Sequence, residues 1–294
     1  MPRVVGIGIN VMDIYRPLGK MFPGGNEFNI CYHVKKMGGE AGFMGVFADD
    51  AAGELLRGLL KNEGVDVSHS HREKGSSGYA IVDLVNGDRV FVDYNRRGVT
   101  DLHPFVFTAD DLEYIRTFDL QCISYASRLT FDEVRKLADT KVPISYDFSD
   151  SFTTQKIEQY CPLLDFAFFS CSHTNDKGKI AELLKKAWDL GPKIVVSTLG
   201  AHGALAYDGY RLFEQMAVNI PPVDTMGAGD AFIAAFIMSY LQYQKEIVRT
   251  NRQDMLESCL VKATNFAAKI ITEYGSLGFG YPIDINELGM VINI

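Results

Sequence analysis

The sequence predicts an α/β protein: a central, mostly parallel β-sheet flanked by helices, with a small second β-sheet projecting from it. The first observation is a regular alternation, past residue 110, of short apolar runs with stretches of helical periodicity. The apolar runs are 120–126, 142–148, 164–169 and 194–198, and the helical stretches are 129–138 and 180–190. This order of elements is the βαβ pattern of a parallel sheet whose crossovers carry helices.

The second observation is a hairpin that stands apart from this alternation. Two strand-like segments, 79–85 and 89–94, flank Asn86-Gly87, a dipeptide typical of two-residue hairpin turns. We interpret the hairpin as part of the small projecting sheet, which would form a lid from about residues 10–30 and 75–100.

A second hairpin is predicted at Asp208-Gly209, between strands at 204–207 and 211–218. The chain shows no internal repeat and no Pro/Gly-rich linker, so we expect residues 1–294 to form a single domain.

Composition favours a protein that acts on small molecules. Lys and Arg number 29 against 37 Asp and Glu, a formal net charge of −8, which argues against the basic surface of a nucleic-acid binder. The longest strongly apolar run, 231–241, is about half the length of a membrane-spanning helix. The first residues are typical of a β-strand rather than a signal peptide, and the five scattered cysteines fit reduced thiols. We therefore expect a cytoplasmic protein that does not bind membranes.

The most informative stretch is the loop 221–230, which leads directly into the apolar helix 231–241. Gly227 and Gly229 have no Cβ, so the backbone can approach a ligand, and the N-terminus of a helix attracts anions. Asp230 then stands where an anion would bind, which makes sense if its carboxylate takes a proton from a hydroxyl that attacks a phosphoryl group. The alternative is that Asp230 only caps the helix and the glycines only turn the chain.

Two segments of this sequence resemble the signatures of one family. Asp-Thr-Met-Gly-Ala-Gly-Asp at 224–230 is similar to the second signature of the ribokinase-like (PfkB) carbohydrate kinases, and Gly-Gly-Asn-Glu-Phe-Asn at 24–29 is similar to the first. The resemblance covers most of the chain. It implies a ribokinase-like fold with a β-sheet lid and ATP- and Mg²⁺-dependent phosphorylation of a primary hydroxyl of a sugar.

The resemblance also implies roles for individual residues on the sugar side. Asp230 matches the catalytic base, and the matching anion hole consists of Gly227, Ala228 and Gly229. Asp13, which we place at the end of the first strand, matches a ligand of the sugar hydroxyls. The other substrate-contacting matches are Gly25, Asn26 and Asn29. Without the resemblance, Asp13 is only a strand-end carboxylate and Asn29 only a helix cap.

On the nucleotide side, the segment 198–203 resembles the family's T-x-G-x-x-G loop, which touches ATP. Its matching residues are Thr198, Gly200 and Gly203. Asn265, on a predicted helix at 256–272, matches a position beside the adenine, and Tyr274-Gly275-Ser276 lies where the family closes that pocket. Alternatively, 198–203 is an ordinary turn and Asn265 is a hydrogen-bonded amide in the core.

Two departures from the family concern the metal and the sugar. The N-x-x-E that organises Mg²⁺ is replaced by Ser170-Cys171-Ser172-His173. We therefore expect Mg²⁺ to be held mainly by ATP and water, with Asp224 or another carboxylate nearby, and a requirement for a monovalent cation stays open. The D-x-N-x-R of fructokinase-like members appears only as Asp147-Phe148-Ser149-Asp150.

Within the family the sequence looks most similar to the fructoselysine 6-kinase branch, notably at 8–15, 88–94 and 146–150. This predicts 6-phosphorylation of a fructosamine, with Tyr94 and Arg97 among the substrate contacts. Arg96 and Arg97 would pair with the substrate carboxylate, or else they are exposed residues at a hairpin end. We also expect a homodimer formed through the lid.

Other functions are weighed against this one. A nicotinamide dehydrogenase would need a third glycine of G-x-G-x-x-G where Val11 stands. A sugar or nucleotide sensor on the same fold would gain nothing from a carboxylate facing phosphate. A fructokinase, or another sugar or nucleoside kinase of the family, is the closer alternative.

Overall fold

The computed structural model describes residues 1–85, 88–95, 98–174, 176–245 and 252–283. The strands are β1 Arg3–Ile7, β2 Val11–Tyr15, β3 Lys20–Gly24, β4 Glu40–Met44, β5 Val46–Ala48, β6 His71–Glu73, β7 Gly78–Val85, β8 Asp88–Tyr94, β9 Leu120–Ser124, β10 Ile144–Asp147, β11 Phe166–Ser170, β12 Ile194–Thr198, β13 Ala204–Tyr207, β14 Leu212–Gln215 and β15 Tyr281–Pro282. The α-helices are α1 Asn26–Lys36, α2 Ala51–Asn62, α3 Val99–Leu102, α4 Ala109–Ile115, α5 Phe131–Asp139, α6 Thr154–Tyr160, α7 Lys177–Asp189, α8 Ala228–Lys245 and α9 Arg252–Ile270. The predicted alternation of strands and helices past residue 110 is confirmed.

The large sheet has the strand order β14-β13-β12-β11-β10-β9-β1-β4 within the described residues. Neighbouring strands from β12 to β4 in this order are parallel, whereas β13 is antiparallel to β12 and β14 is antiparallel to β13. The prediction of a mostly parallel sheet is therefore confirmed. Because the carboxyl ends of parallel strands meet at one edge, the loops after β1, β9, β10, β11 and β12 lie along the edge where such sheets bind ligands.

The predicted hairpin of β13 and β14 is present, but its turn is longer and its second strand shorter than expected. Tyr207 pairs with Leu212, which leaves four residues in the turn instead of two. The cause is Asp208, whose Oδ1 accepts hydrogen bonds from the backbone N–H groups of Tyr210 and Arg211. The second strand ends at Gln215.

The small sheet has the strand order β15-β3-β2-β7-β8. The predicted strands β7 and β8 pair antiparallel, while their predicted tip, Asn86-Gly87, lies outside the described residues. A second sheet is thus confirmed. It also receives β15 from far along the chain, which the sequence did not indicate.

Asp13 does not lie at the end of the first strand, as we expected from the sequence. It lies in the middle of β2, in the small sheet, where it pairs with Phe22 of β3. The apolar character of the first residues runs on past the end of β1, so the two strands read as one. They are separated where the N–H of Ile9 leaves the sheet and donates to Glu27 Oε2 at 3.2 Å.

The core fills both faces of the large sheet. In β11, Phe166 and Phe168 pack on the face covered by α1, α8 and α9, whereas Ala167 and Phe169 pack on the face covered by α4 to α7. Alternate side chains of a strand point to opposite faces, so a strand buried on both sides reads as a continuous apolar run. All five cysteines are free and buried. Among the helices of the described residues, none has the length and apolarity needed to cross a membrane.

Several helix starts follow local signals, but that of α1, which borders the site, does not. At five helices the N-cap side chain accepts a hydrogen bond from a backbone N–H of the first turn. These N-cap residues are Asp50, Thr108, Thr130, Thr153 and Asp176. Helix α1 has Gly25 at this position, with no side chain to cap it. Helix α1 therefore begins without a side-chain cap.

Candidate active site

The loop that begins α8 is shaped by Gly227. Its φ is +71°, in the left-handed region that favours glycine, and a Cβ placed there would lie 2.4 Å from Cβ of Ser276. Gly229 is different, because a Cβ there would meet no protein atom within 4 Å. Gly227 is thus required by the fold, and Gly229 leaves open space beside the N-terminus of α8. The first N–H groups of a helix lack intrahelical acceptors, so this space suits an anion.

Asp224 holds this loop in place. Its Oδ1 accepts from the N–H of Met226 at 2.9 Å, and its Oδ2 accepts from Tyr15 Oη at 2.6 Å and from the N–H of Gly275 at 2.8 Å. This buried carboxylate therefore ties the loop to β2 and to the segment after α9. Its role as a metal ligand stays a prediction. No group of three or more His, Cys, Asp or Glu side chains within the described ranges is arranged to hold a metal ion.

Asp230 is the third residue of α8, with 8% of its surface exposed, and Asn29 of α1 holds its carboxylate. Asn29 Nδ2 donates to Asp230 Oδ2 at 2.7 Å. On the other side of the amide, Ser276 Oγ lies 2.9 Å from Asn29 Oδ1 and 3.0 Å from the carbonyl oxygen of Pro23. Because a carboxylate accepts and only the NH₂ group of the amide can donate, the Asn29 NH₂ faces Asp230 and its Oδ1 faces the Ser276 hydroxyl.

This geometry excludes the N-cap positions raised for these two residues, and their roles in catalysis and sugar binding stay predictions. Helix α8 begins at Ala228, so Asp230 lies inside its first turn and is not the N-cap. Helix α1 begins at Asn26, so Asn29 is not a cap either, and its amide reaches the other helix instead. Sequence reasoning placed Ser276 in an adenine pocket and missed its contact with Asn29. The sequence marks this residue only by its position after α9.

Asp13 lies against the turn that leads into α1. A Cβ on Gly24 would come within 2.4 Å of Asp13 Oδ2, so the missing side chain lets this buried carboxylate approach the turn. Gly25 has a φ of +119°, and a Cβ there would come within 2.3 Å of the carbonyl oxygen of Ile9. The structure thus brings together Asp13, Gly25, Asn26, Asn29 and Asp230, as the sequence predicted.

Two further carboxylates stand beside the start of α1, and sequence reasoning assigned neither of them to the site. Asn26 Nδ2 donates to Asp147 Oδ2 at 3.4 Å, at the carboxyl end of β10. Removal from water raises the pKa of Asp147 to about 6. Sequence reasoning noted Asp147 only in the incomplete D-x-N-x-R motif and in the segment 146–150 that resembles the fructoselysine 6-kinase branch, although its place at the carboxyl end of a buried strand was an available signal.

Glu27 is fully buried beneath this turn. Its Oε1 accepts from Ser127 Oγ at 2.8 Å, and a Cβ on Gly8 would come within 1.9 Å of its Oε2. Burial raises the pKa of Glu27 to about 7, against the lowering effect of its hydrogen bonds. A glutamate inside a family signature gave no indication that its side chain would point into the protein.

The predicted nucleotide loop lies at the end of β12. The carbonyl oxygen of Thr198 accepts from the N–H of Cys171 at 2.9 Å, and a Cβ on Gly200 would lie 3.2 Å from that of Ser172. Gly203 has a φ of +94°, and a Cβ there would come within 1.9 Å of the carbonyl oxygen of Gln215. These contacts join the loop to β14 and to the segment after β11, which carries the altered N-x-x-E.

The remaining predicted contacts are more dispersed. Asn265 is exposed on α9, so the alternative of a buried core amide is wrong, and its contact with adenine stays a prediction. Tyr94 ends β8 with 47% of its surface exposed. Arg97, like Arg96, lies outside the described residues.

Comparison with known proteins gives the family of the chain. Residues 8–282 match the model of the pfkB family carbohydrate kinases. The chain belongs to this family. The resemblance noted in the sequence and the prediction of a carbohydrate kinase are therefore confirmed, and the dehydrogenase alternative is wrong.

Two relatives match over nearly their whole length. The chain is 34% identical to a fructosamine kinase of Bacillus subtilis (strain 168), with 98% of this chain and 97% of the relative covered. It is 30% identical to a fructoselysine 6-kinase of Escherichia coli (strain K12), with 94% and 100% covered. Both relatives act on sugars of the class that the sequence predicted.

Solved structures share the fold. A ribokinase of Giardia lamblia superposes with a TM-score of 0.76 at 18% identity, covering 94% of this chain and 95% of the other. A ribokinase of Arabidopsis thaliana, complexed with ribose and ATP, has a TM-score of 0.75 at 19% identity and covers 94% of each chain. The predicted ribokinase-like fold is confirmed.

Proposed function

We propose that this protein transfers the γ-phosphoryl group of ATP to the distal primary hydroxyl of a fructosamine such as fructoselysine. One observation carries the proposal: the carboxylate of Asp230 is held by Asn29 in the first turn of α8, beside the open backbone at Gly229. The activities of the two relatives supply the substrate class.

In this reaction Asp230 acts as the general base. The substrate hydroxyl loses its proton to the Asp230 carboxylate while its oxygen bonds to the γ-phosphorus, and the bond from that phosphorus to the bridging oxygen of ADP breaks. The proton then passes to solvent. Negative charge on the transferred group is stabilised by the positive end of the α8 dipole and by backbone N–H groups near Gly229.

The described residues offer Mg²⁺ no cage of their own, and Asp224 is already bonded to three donors. We therefore propose that the metal enters with ATP, bound to phosphate oxygens and water, as is common for Mg²⁺ at nucleotide sites. Because ATP is the donor, we place the reaction in the cytoplasm.

The test is a turnover assay on the purified protein with ATP and Mg²⁺, using fructoselysine, fructose, ribose and adenosine as acceptors. Fructoselysine should have the highest kcat/KM. A preference for fructose, ribose or adenosine would replace the proposal with another kinase of the family. Absence of any ADP release, with ATP still bound, would support the non-enzymatic sensor.

A substitution at Asp230 tests its role as the general base. Asp230→Asn should lower kcat by about 10²- to 10⁴-fold, the usual contribution of a general base, while ATP affinity stays unchanged in calorimetry. Asp132→Asn is the matched control, because Asp132 is also an aspartate in the first turn of a helix but is exposed. A variant at Asp230 that keeps most of its turnover removes this residue from the role.

We further propose that two copies pair through the small sheet. β8 is an edge strand, and Val90, Phe91 and Val92 are 44%, 55% and 50% exposed. Edge strands with consecutive exposed apolar residues are open to pairing with another chain. Light scattering should give the mass of a dimer at micromolar concentration, and the double variant Val90→Lys, Val92→Lys should give a monomer. A monomeric wild-type protein contradicts the pairing.

A further inference from the structure

Asp147, the last residue of β10, and the proposed base Asp230 are both bonded to side chains of α1. Asn26 and Asn29 are three residues apart on α1, so their side chains are neighbours, with Cβ atoms about 5–6 Å apart. Each amide donates to a carboxylate: Asn29 to Asp230, and Asn26 to Asp147. Two carboxylates are therefore bonded to the first turn of α1 by neighbouring amides.

Only one of these carboxylates has a task in phosphoryl transfer. Asp230 takes the proton of the attacking hydroxyl, and the reaction needs no second base. Asp147 accepts from the N–H of Ser149 at 2.8 Å and from Asn26 at 3.4 Å, and it forms no ion pair with a Lys or Arg of the described residues. It is nevertheless partly accessible. Holding a charged carboxylate out of water without a cation costs free energy. Because Asp147 is partly accessible, a cationic ligand can reach it and offset that cost.

An exposed aromatic residue follows the strand position next to Asp147. Asp147 is in register with Ser124 of β9, and strands of a sheet lie about 5 Å apart. The residue after Ser124 is Tyr125, whose side chain is 40% exposed. The ammonium of Lys156 lies over this ring, 3.9 Å from its centre, so the ring already faces one cation.

We propose that Asp147 binds the secondary ammonium of the fructosamine and so makes the enzyme prefer fructosamines to fructose. The proposal rests on the function proposed above. A fructosamine differs from fructose in the amine at carbon 1, which is protonated at neutral pH. The distal hydroxyl of the sugar then lies at Asp230, and the amine, at the other end, lies at Asp147. The ammonium and the carboxylate form a charge-assisted hydrogen bond.

The first experiment compares kcat/KM for fructoselysine and for fructose in wild type and in Asp147→Asn. The variant should lose about 10- to 100-fold with fructoselysine, the usual effect of removing one hydrogen bond between charged groups, and less than about 3-fold with fructose. Asp150→Asn is the matched control, because Asp150 is an exposed aspartate three residues away and should leave both values unchanged. Equal losses with both sugars, or no loss, overturn the assignment.

A second experiment needs no variant and covers the case in which Asp147→Asn does not fold. The wild-type enzyme is assayed with 1-methylamino-1-deoxyfructose and with its neutral isostere, 1-O-methylfructose. The amine should be at least about tenfold the better substrate, and equal efficiencies overturn the proposal. If wild type phosphorylates no fructosamine, the proposed function fails; if it does so but Asp147→Asn keeps the same preference, only the role of Asp147 fails.

Discussion

The side-chain amide of Asn29 donates a 2.7 Å hydrogen bond to the carboxylate of Asp230 and connects α1 to α8 across the site. We predict that Asn29→Ala lowers kcat about 10- to 100-fold and leaves the KM for ATP unchanged, because the base loses the group that orients it. Steady-state kinetics with ATP and sugar varied separately provide the measurement.

Ser276→Ala serves as the comparison for Asn29→Ala. It removes the hydroxyl next to the Asn29 amide oxygen but keeps the hydrogen bond between Asn29 and Asp230. Its kcat should therefore fall less than that of Asn29→Ala. The reverse order would mean that Ser276, rather than Asn29, sets the position of Asp230.

The two glycines of the α8 loop should respond in opposite ways to the same substitution. Gly227→Ala should destabilise the fold by about 1–3 kcal/mol, because of its positive φ and the contact with Ser276, and lower Tm by several degrees. Gly229→Ala should leave Tm unchanged and lower kcat/KM for ATP, since the new methyl group fills the space proposed for phosphate. Thermal unfolding and kinetics on both variants test this; a normal turnover in Gly229→Ala would move the phosphate elsewhere.

Glu27 should make stability fall as pH rises. Its pKa is 4.5 in the unfolded chain and about 7 in the fold, so between these values the folded state binds more protons. The contribution of Glu27 to the free energy of unfolding is complete below pH 4.5 and is lost as pH rises through 7. We expect Glu27→Gln to be near neutral at pH 5 and to stabilise the protein at pH 8, by up to about 3 kcal/mol.

Urea unfolding at the two pH values measures the effect of Glu27→Gln, with the exposed Glu158→Gln as control. The control should change stability equally at both pH values. A Glu27→Gln variant that is equally stable relative to wild type at pH 5 and pH 8 would show that Glu27 ionises in the fold as it does in water.

Chelation should separate turnover from stability. Because the described residues have no cluster able to hold a metal, EDTA should abolish turnover and leave the Tm of the protein without ATP unchanged. Added Mg²⁺ should restore turnover. A lower Tm in EDTA would indicate a resident metal ion and contradict the proposal that the metal arrives with ATP.

The sequence predicted those parts of the molecule that depend on local patterns. The run at 194–198 is a strand with the same bounds in the structure, because its β-branched residues form a strand buried on both faces. The loop with Gly227 and Gly229 was readable because a glycine-rich turn directly before an apolar helix is a local pattern. Most of the residues around Asp230 follow from the two family signatures.

The parts that could not be predicted depend on contacts between distant segments. Asn26 and Asp147 meet across 121 positions of sequence, and neither residue indicates the other. The burial of Glu27 depends on Gly8 leaving space for its carboxylate. The break between β1 and β2 was missed because both strands are apolar and the residues between them carry no strong turn signal.

The strand β15 pairs with β3, so that Tyr281 stands opposite Met21 and the N–H of Ile283 donates to the carbonyl oxygen of Gly19. These partners are about 260 residues apart in the chain, a loop closure of high entropic cost. During synthesis β3 therefore has an unpaired edge until residue 281 has left the ribosome, and it is exposed to pairing with other nascent chains. A chain cut short between residues 276 and 281 keeps Asp230, Asn29 and Ser276 but leaves β3 without its neighbour β15.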